Sequence, residues 1–419
     1  MRKFLIIALM CIIAGGMASA KVKKTQEKKQ EPVVHKQYNS YRGLVMAGYQ
    51  GWFSAEGDGS GNGWSTGLGD TSNDRCFMDF WPDTREYEKL YPTKFKMSDG
   101  SPAMMYSPYD LSTVDLHFKW MKEYGVDGVF MQRFINSHKE EKSYGARSIK
   151  VWDNAVKSAM KYDRAICMMY DLSGCHSATM CDYVFSDIDD VAEKYNLFDH
   201  DKFPSYLYHN GKPLVVLWGY GFVDREGYDL NDARKMVQGL KDRGYSVMLG
   251  VPTYWRTLDR DTRNDKALHE VIRMADIVMP WFVGRYDDKT YQSFAPLIDE
   301  DIKWAKANGI DYAPLCYPGF SWYNMDPNAD DTIDRNSGRF YWEQLSYCIS
   351  HGAEMIYVAM YDEMNEGTAI FKCAKNVPVP TEHAKFVPID DDVETDHYLW
   401  LTGKAAAMLK ALTSKVPER

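Results

Sequence analysis

Two glutamates three residues apart, Glu363 and Glu366, follow the apolar run at 355–360 in the segment Tyr361-Asp362-Glu363-Met364-Asn365-Glu366-Gly367-Thr368. On a tight turn, carboxylates with this E-x-x-E spacing point the same way and emerge about 5–6 Å apart, close enough to bracket one sugar ring. In a partly desolvated cleft the two cannot both ionise easily, so one keeps a proton for a leaving oxygen while the other serves as base or nucleophile. An arbitrary E-x-x-E is more often a solvated acidic loop. Competing chemistries lack their residues: no apolar run leads into a G-x-S-x-G elbow, there is no H-E-x-x-H or clustered His/Asp set, and His176 stands alone beside Cys175. No metal and no cofactor are expected, and acid–base work by carboxylates is what remains.

The elements that would carry such a pair follow from the apolar runs. Eight recur, at 44–49, 128–133, 165–170, 214–218, 246–251, 276–281, 312–317 and 355–360, and they are apolar on both faces, as buried parallel strands are. Amphipathic stretches at 114–124, 146–161, 232–243, 267–274, 299–308 and 340–351 separate them. This alternation predicts an α/β fold, a (β/α)8 TIM barrel in a single domain, with chemistry at the C-terminal ends of its strands. A doubly wound sheet is disfavoured because no Gly-rich phosphate loop follows the first strand. The residues just after the strands then define a mouth: Tyr49, Gln50 and Trp52; Gln132 and Arg133; Asp171; Trp218; Tyr254; Trp281 and Arg285; Tyr317 and Trp322; and finally Asp362, Glu363, Asn365 and Glu366. Of these, Tyr49, Trp52, Arg133, Asp171, Trp218, Tyr254, Trp281, Arg285, Tyr317, Trp322 and Asn365 are the expected substrate contacts. Aromatic faces beside hydrogen-bonding groups suit polyhydroxylated rings.

The N-terminus has Arg2 and Lys3, an apolar stretch and Ala18-Ser19-Ala20, the pattern of a signal peptide over 1–20. Export to the periplasm or the exterior is expected; a lipid anchor at Cys11 is disfavoured by Met10 in front of it. Residues 21–38 read as a disordered tether rich in Lys, Glu and Gln, and 39–419 as the catalytic domain. After signal removal 48 basic residues face 59 acidic ones, a balance of −11 that argues against nucleic acid as a partner. No apolar run spans a membrane. The expected partner is an oligo- or polysaccharide; oligomeric state is not legible. Seven cysteines remain, with Cys175 and Cys181 the nearest candidates for a disulfide. The loop 56–74, rich in Gly, Asp and Asn, lacks the terminal Glu of a calcium loop and reads as turns; Trp64 and Trp81 flank it as candidate wall residues.

The segment Glu363-Met364-Asn365-Glu366-Gly367-Thr368 resembles the E-x-x-E-G-T signature of glycoside hydrolase family 99, the endo-α-mannosidases, and of the related family 71; Gly48-Tyr49-Gln50-Gly51-Trp52-Phe53 is similar to their aromatic first strand end. The resemblance implies a metal-free barrel acting on α-linked sugars. Glu363 would deprotonate the sugar's 2-hydroxyl so that O2 attacks C1, and Glu366 would protonate the leaving oxygen and then activate water, with retention. Ala369-Ile370-Phe371 after the motif departs from the family's usual run, so xylosides and arabinosides stand beside mannosides as expected substrates. The alternatives are a glycan-binding protein without catalysis on the same barrel, and an inverting α-glucanase.

Overall fold

A computed structural model of the protein describes residues 35–65, 75–135, 142–175, 180–326 and 332–413. The expected signal peptide, most of the tether, part of the loop 56–74 and His176 lie outside these residues. Residues 35–38, at the end of the expected tether, are docked: Tyr38 is buried, and its hydroxyl donates to the Asp163 carbonyl at 2.5 Å.

All eight apolar runs form strands. They are β1 (Val45–Tyr49), β4 (Gly128–Phe134), β5 (Ala165–Asp171), β7 (Lys212–Trp218), β8 (Ser246–Val251), β9 (Ile277–Pro280), the split pair β10 (Asp311–Tyr312) and β11 (Leu315–Cys316), and β12 (Ile356–Val358). Outside this set, β2 (Tyr91–Lys96) and β3 (Pro102–Met105) make a separate hairpin, and β6 (Tyr208–His209) pairs antiparallel with β7. The main strands lie in the order β10-β9-β8-β7-β5-β4-β1-β12-β11, parallel throughout. The two ends of this curled sheet belong to one chain segment: the Ala313 N–H donates to Val278 on β9, and the Pro314 carbonyl accepts from Tyr357 on β12, each at 3.0 Å.

Helices alternate with the strands, starting one to four residues earlier than the sequence pattern in several cases: Leu111–Tyr124, Lys142–Tyr162, Leu230–Asp242, Ala267–Ile272, Pro296–Ala307 and Arg339–Ser350. Two more, Met180–Tyr195 and His397–Thr413, are not among the expected stretches. The first is rich in Asp and β-branched or aromatic residues, poor helix formers, yet it buries Met180, Val184, Ile188 and Val191 on one face, and packing overrides propensity. All seven described cysteines are buried and none is bonded to another, so the candidate Cys175–Cys181 disulfide is absent; the Cys181 thiol instead lies 3.9 Å from the Asp232 carbonyl. No helix among the described residues is long and apolar enough to cross a membrane.

Candidate active site

Strand register decides what faces inward. Phe134 pairs with Asp171, Asp171 with Trp218, and Trp218 with Gly250, so these four form one layer on the inner face, while Arg133, Tyr170 and Leu217 form the next layer, on the outer face. Above the inner layer opens a cavity of about 700 Å³ at the C-terminal strand ends, with Glu363 and Glu366 in its lining. Of the expected contacts it brings together Trp52, Asp171, Trp218, Trp281, Arg285 and Trp322.

Five expected contacts do not line it. Tyr49 points from β1 into the helix layer, where its hydroxyl meets His117 Nδ1 at 2.9 Å. Arg133, one residue out of phase with Gln132, pairs with Asp187 at 2.7 and 2.5 Å. Tyr254 lies against the Arg260 guanidinium, 3.9 Å from its ring centroid. Tyr317 is fully buried and donates to the Tyr286 carbonyl. Asn365 sits within the glutamate turn, its N–H donating to Glu363. Trp81 is likewise core, its indole donating to the Met104 carbonyl at 3.0 Å. Phe222, Arg225, Thr290, Phe320 and Met360 do line the cavity. Except for Met360, which ends the last apolar run, they lie several residues past a strand end in loops whose paths carry no periodic signal in the sequence.

The glutamate turn is braced from all sides. The Met364 carbonyl accepts the N–H groups of Asp79 and Phe80, the Glu363 carbonyl those of Thr368 and Ala369, and the Glu366 carbonyl that of Ser321, at 2.8–3.3 Å. Arg335 donates to the carbonyls of Gly367 and Ala369 at 2.7 and 2.8 Å. Gly367 has φ +63°, and a Cβ there would meet Phe80 at 2.9 Å and Ser321 at 3.1 Å, so the motif needs glycine after its second glutamate. Buried Asp79 accepts the N–H groups of Tyr323 and Asn324 and the Ser321 hydroxyl, fixing the loop that presents Trp322.

The carboxylates of the site are shifted upward. Glu363 is buried, and its Oε1 accepts the N–H groups of Asn365 at 2.8 Å and Glu366 at 3.3 Å. Burial and then the charge of Glu366 push its pKa well above the usual range, with those two N–H groups opposing. Burial also raises Glu366 to about 7; the Trp322 indole N–H opposes the rise and Asp171 adds to it. Both carboxyls therefore hold a proton more readily than a free glutamate does. Asp171, raised to about 6 by burial, accepts from Ser173 N–H at 2.8 Å and Gln132 Nε2 at 3.3 Å.

The wall also presents polar atoms without partners: the indole N–H groups of Trp52 and Trp218, and the amide oxygens of Gln50 and Gln132. Buried polar groups are nearly always satisfied. Donors and acceptors left open around one cavity are what a ring of hydroxyls would complete. Among the described residues no cluster of three or more His, Cys, Asp or Glu is arranged to hold a metal.

Comparison with known proteins places this geometry. A family model described as a domain of unknown function, DUF5010, matches residues 140–382, more than half of the chain. The chain belongs to the DUF5010 family. No curated protein matches it. Among solved structures, two of the GH99 endo-α-mannosidase from Bacteroides thetaiotaomicron are similar, with TM-scores of 0.60 and 0.61 at 17% identity. They cover 89% and 90% of this chain and 99% of theirs. A structure described as a glycoside hydrolase-like protein has a TM-score of 0.51 at 12% identity, over 90% of this chain and 96% of its own. The DUF5010 chain therefore shares its fold with glycoside hydrolases.

Proposed function

We propose that the protein is a glycoside hydrolase whose strands close as a (β/α)8 barrel, with Glu363 and Glu366 as its catalytic pair. The observation that carries this reading is the cavity itself: buried Glu363 and half-buried Glu366 lie at the C-terminal strand ends, among indoles and amides whose polar atoms lack partners. The fold shared with GH99 endo-α-mannosidase supports it.

The substrate is an oligo- or polysaccharide with an α-glycosidic bond, a mannoside, xyloside or arabinoside, and the protein meets it after export. Glu363, made a stronger base by its raised pKa, draws the proton from the sugar's 2-hydroxyl, and O2 displaces the aglycone at C1. Glu366 protonates the departing oxygen and then takes a proton from the water that opens the anhydro sugar. Two inversions at C1 give net retention. The test is turnover of an α-glycoside panel by Glu363→Gln and Glu366→Gln, with NMR of the first-formed anomer. Full activity in both variants removes the pair from the mechanism, and an inverted first product removes neighbouring-group participation.

A further inference from the structure

The cavity wall after β7 carries a cation that the protein leaves open. The Arg225 guanidinium lies 5.4 Å from the Trp218 ring centroid and 5.6 Å from that of Phe222, and its Nε is buried without a hydrogen-bond partner. Its ion-pair neighbour is Asp224, at 4.0 Å and with its side chain 68% exposed, and its charge also reaches Asp171, whose raised pKa it opposes. Other arginines nearby are engaged: Arg285 Nε bonds Asp261 at 3.1 Å, and Arg263 Nε bonds the Phe222 carbonyl at 2.9 Å.

The loop bearing Arg225 is rigidly held. Arg263 also donates to the Arg225 carbonyl, the Val223 N–H donates to Asp261 at 3.1 Å, and the Arg263 N–H donates to Gly221 at 2.8 Å. A guanidinium resting on aromatic faces keeps its charge, and the edge of its planar fork stays free for a carboxylate or a sulfate. Because the loop is fixed beforehand, little ordering remains to be done on binding.

We propose that Arg225, Trp218 and Phe222 form a subsite for an anionic sugar, one bearing a carboxylate or a sulfate ester, within the glycan that enters the cavity. The proposal rests on the glycosidase reading for the location of the cleaved bond, though not for the binding itself. The acids of the cavity do not forbid it. Asp171, Glu363 and Glu366 hold protons more tightly than free carboxyls, and Asp224 is solvated and screened.

Calorimetry at low salt with methyl glucuronide, glucose 6-sulfate and neutral methyl glucoside tests the subsite on wild type, Arg225→Gln and Arg225→Lys, each first checked for an unchanged unfolding midpoint. The expected result is about tenfold tighter binding of an anionic probe than of the glucoside. That preference is lost in Arg225→Gln, partly kept in Arg225→Lys, and weakened by salt. Preference for the glucuronide alone assigns a uronate; preference for the sulfate alone assigns a sulfated sugar. Equal binding of all probes, no binding of any, or a preference that survives Arg225→Gln overturns the proposal. Anionic binding without turnover of any glycoside would instead sink the hydrolase reading and leave the subsite standing. Turnover of glycosides with no preference for an anionic probe in wild type would do the reverse.

Discussion

Asp362 accepts the backbone N–H of Gln50 on one carboxylate oxygen and that of Gly51 on the other, both at 2.8 Å. The residue before the proposed catalytic pair thus fixes the first strand end, and with it the approach of Trp52 to the cavity. Asp362→Asn offers one acceptor where two are needed and turns an amide N–H toward a backbone N–H. The expected cost is about 1–3 kcal/mol in urea denaturation at neutral pH, with a fall in activity; an unchanged midpoint would show that the contact is dispensable.

The roles of the two glutamates separate by leaving group. Glu366→Gln should lose about 10²–10⁴-fold in kcat/KM on natural glycans but little on a glycosyl fluoride or dinitrophenyl glycoside, which departs without a proton. Glu363→Gln should be slow on both. Equal losses on all substrates in the Glu366 variant would place the acid elsewhere.

Asp171 predicts two pH effects. Its pKa is raised from 3.8 to about 6 by burial, so its contribution to stability is fully present below the unfolded value and is lost as pH rises through 6. The stability of wild type relative to Asp171→Asn should therefore fall by about 2 kcal/mol between pH 4 and pH 7, followed by denaturant titration at each pH. Because the Asp171 charge helps to hold the Glu366 proton, the alkaline limb of kcat/KM should move to lower pH in the same variant. A limb that stays in place would uncouple the two carboxyls.

Gly250 leaves room for a wall residue. A Cβ there would stand 2.3 Å from Cδ1 of Trp218, so Gly250→Ala must displace the indole. Overpacking of this kind costs about 1–3 kcal/mol, and glycan affinity measured by calorimetry should drop together with a change in tryptophan fluorescence. Unaltered affinity would argue that Trp218 makes no contact with the sugar.

Arg133 belongs to the scaffold. It is buried against Asp187, which also accepts from the Tyr170 hydroxyl at 2.6 Å. Arg133→Met removes the guanidinium from that carboxylate and should destabilise by about 3–5 kcal/mol. In the folded fraction, KM should stay near the wild-type value; a selective rise in KM at unchanged stability would return Arg133 to the binding site.

The sequence by itself determined the order of eight buried strands and the exit of the last one into Glu363 and Glu366. Both follow from local facts: apolar runs of strand length, helical spacing between them, and a glycine where the turn after the glutamates needs a positive φ. The tertiary structure alone decided which of two adjacent strand-end residues faces the cavity. Gln132 looks inward and Arg133 outward, Asp171 inward and Tyr170 outward, because side chains alternate along a strand and the phase is set by register with neighbours some 40 residues away. It also decided which loop residues return to the mouth. Arg225 lies seven residues beyond β7 and reaches the wall only because Arg263 and Asp261, from the loop after β8, hold its loop in place. The upward shift of the carboxyls has the same origin, since burial depends on everything packed around a group, and nothing in an isolated E-x-x-E fixes it.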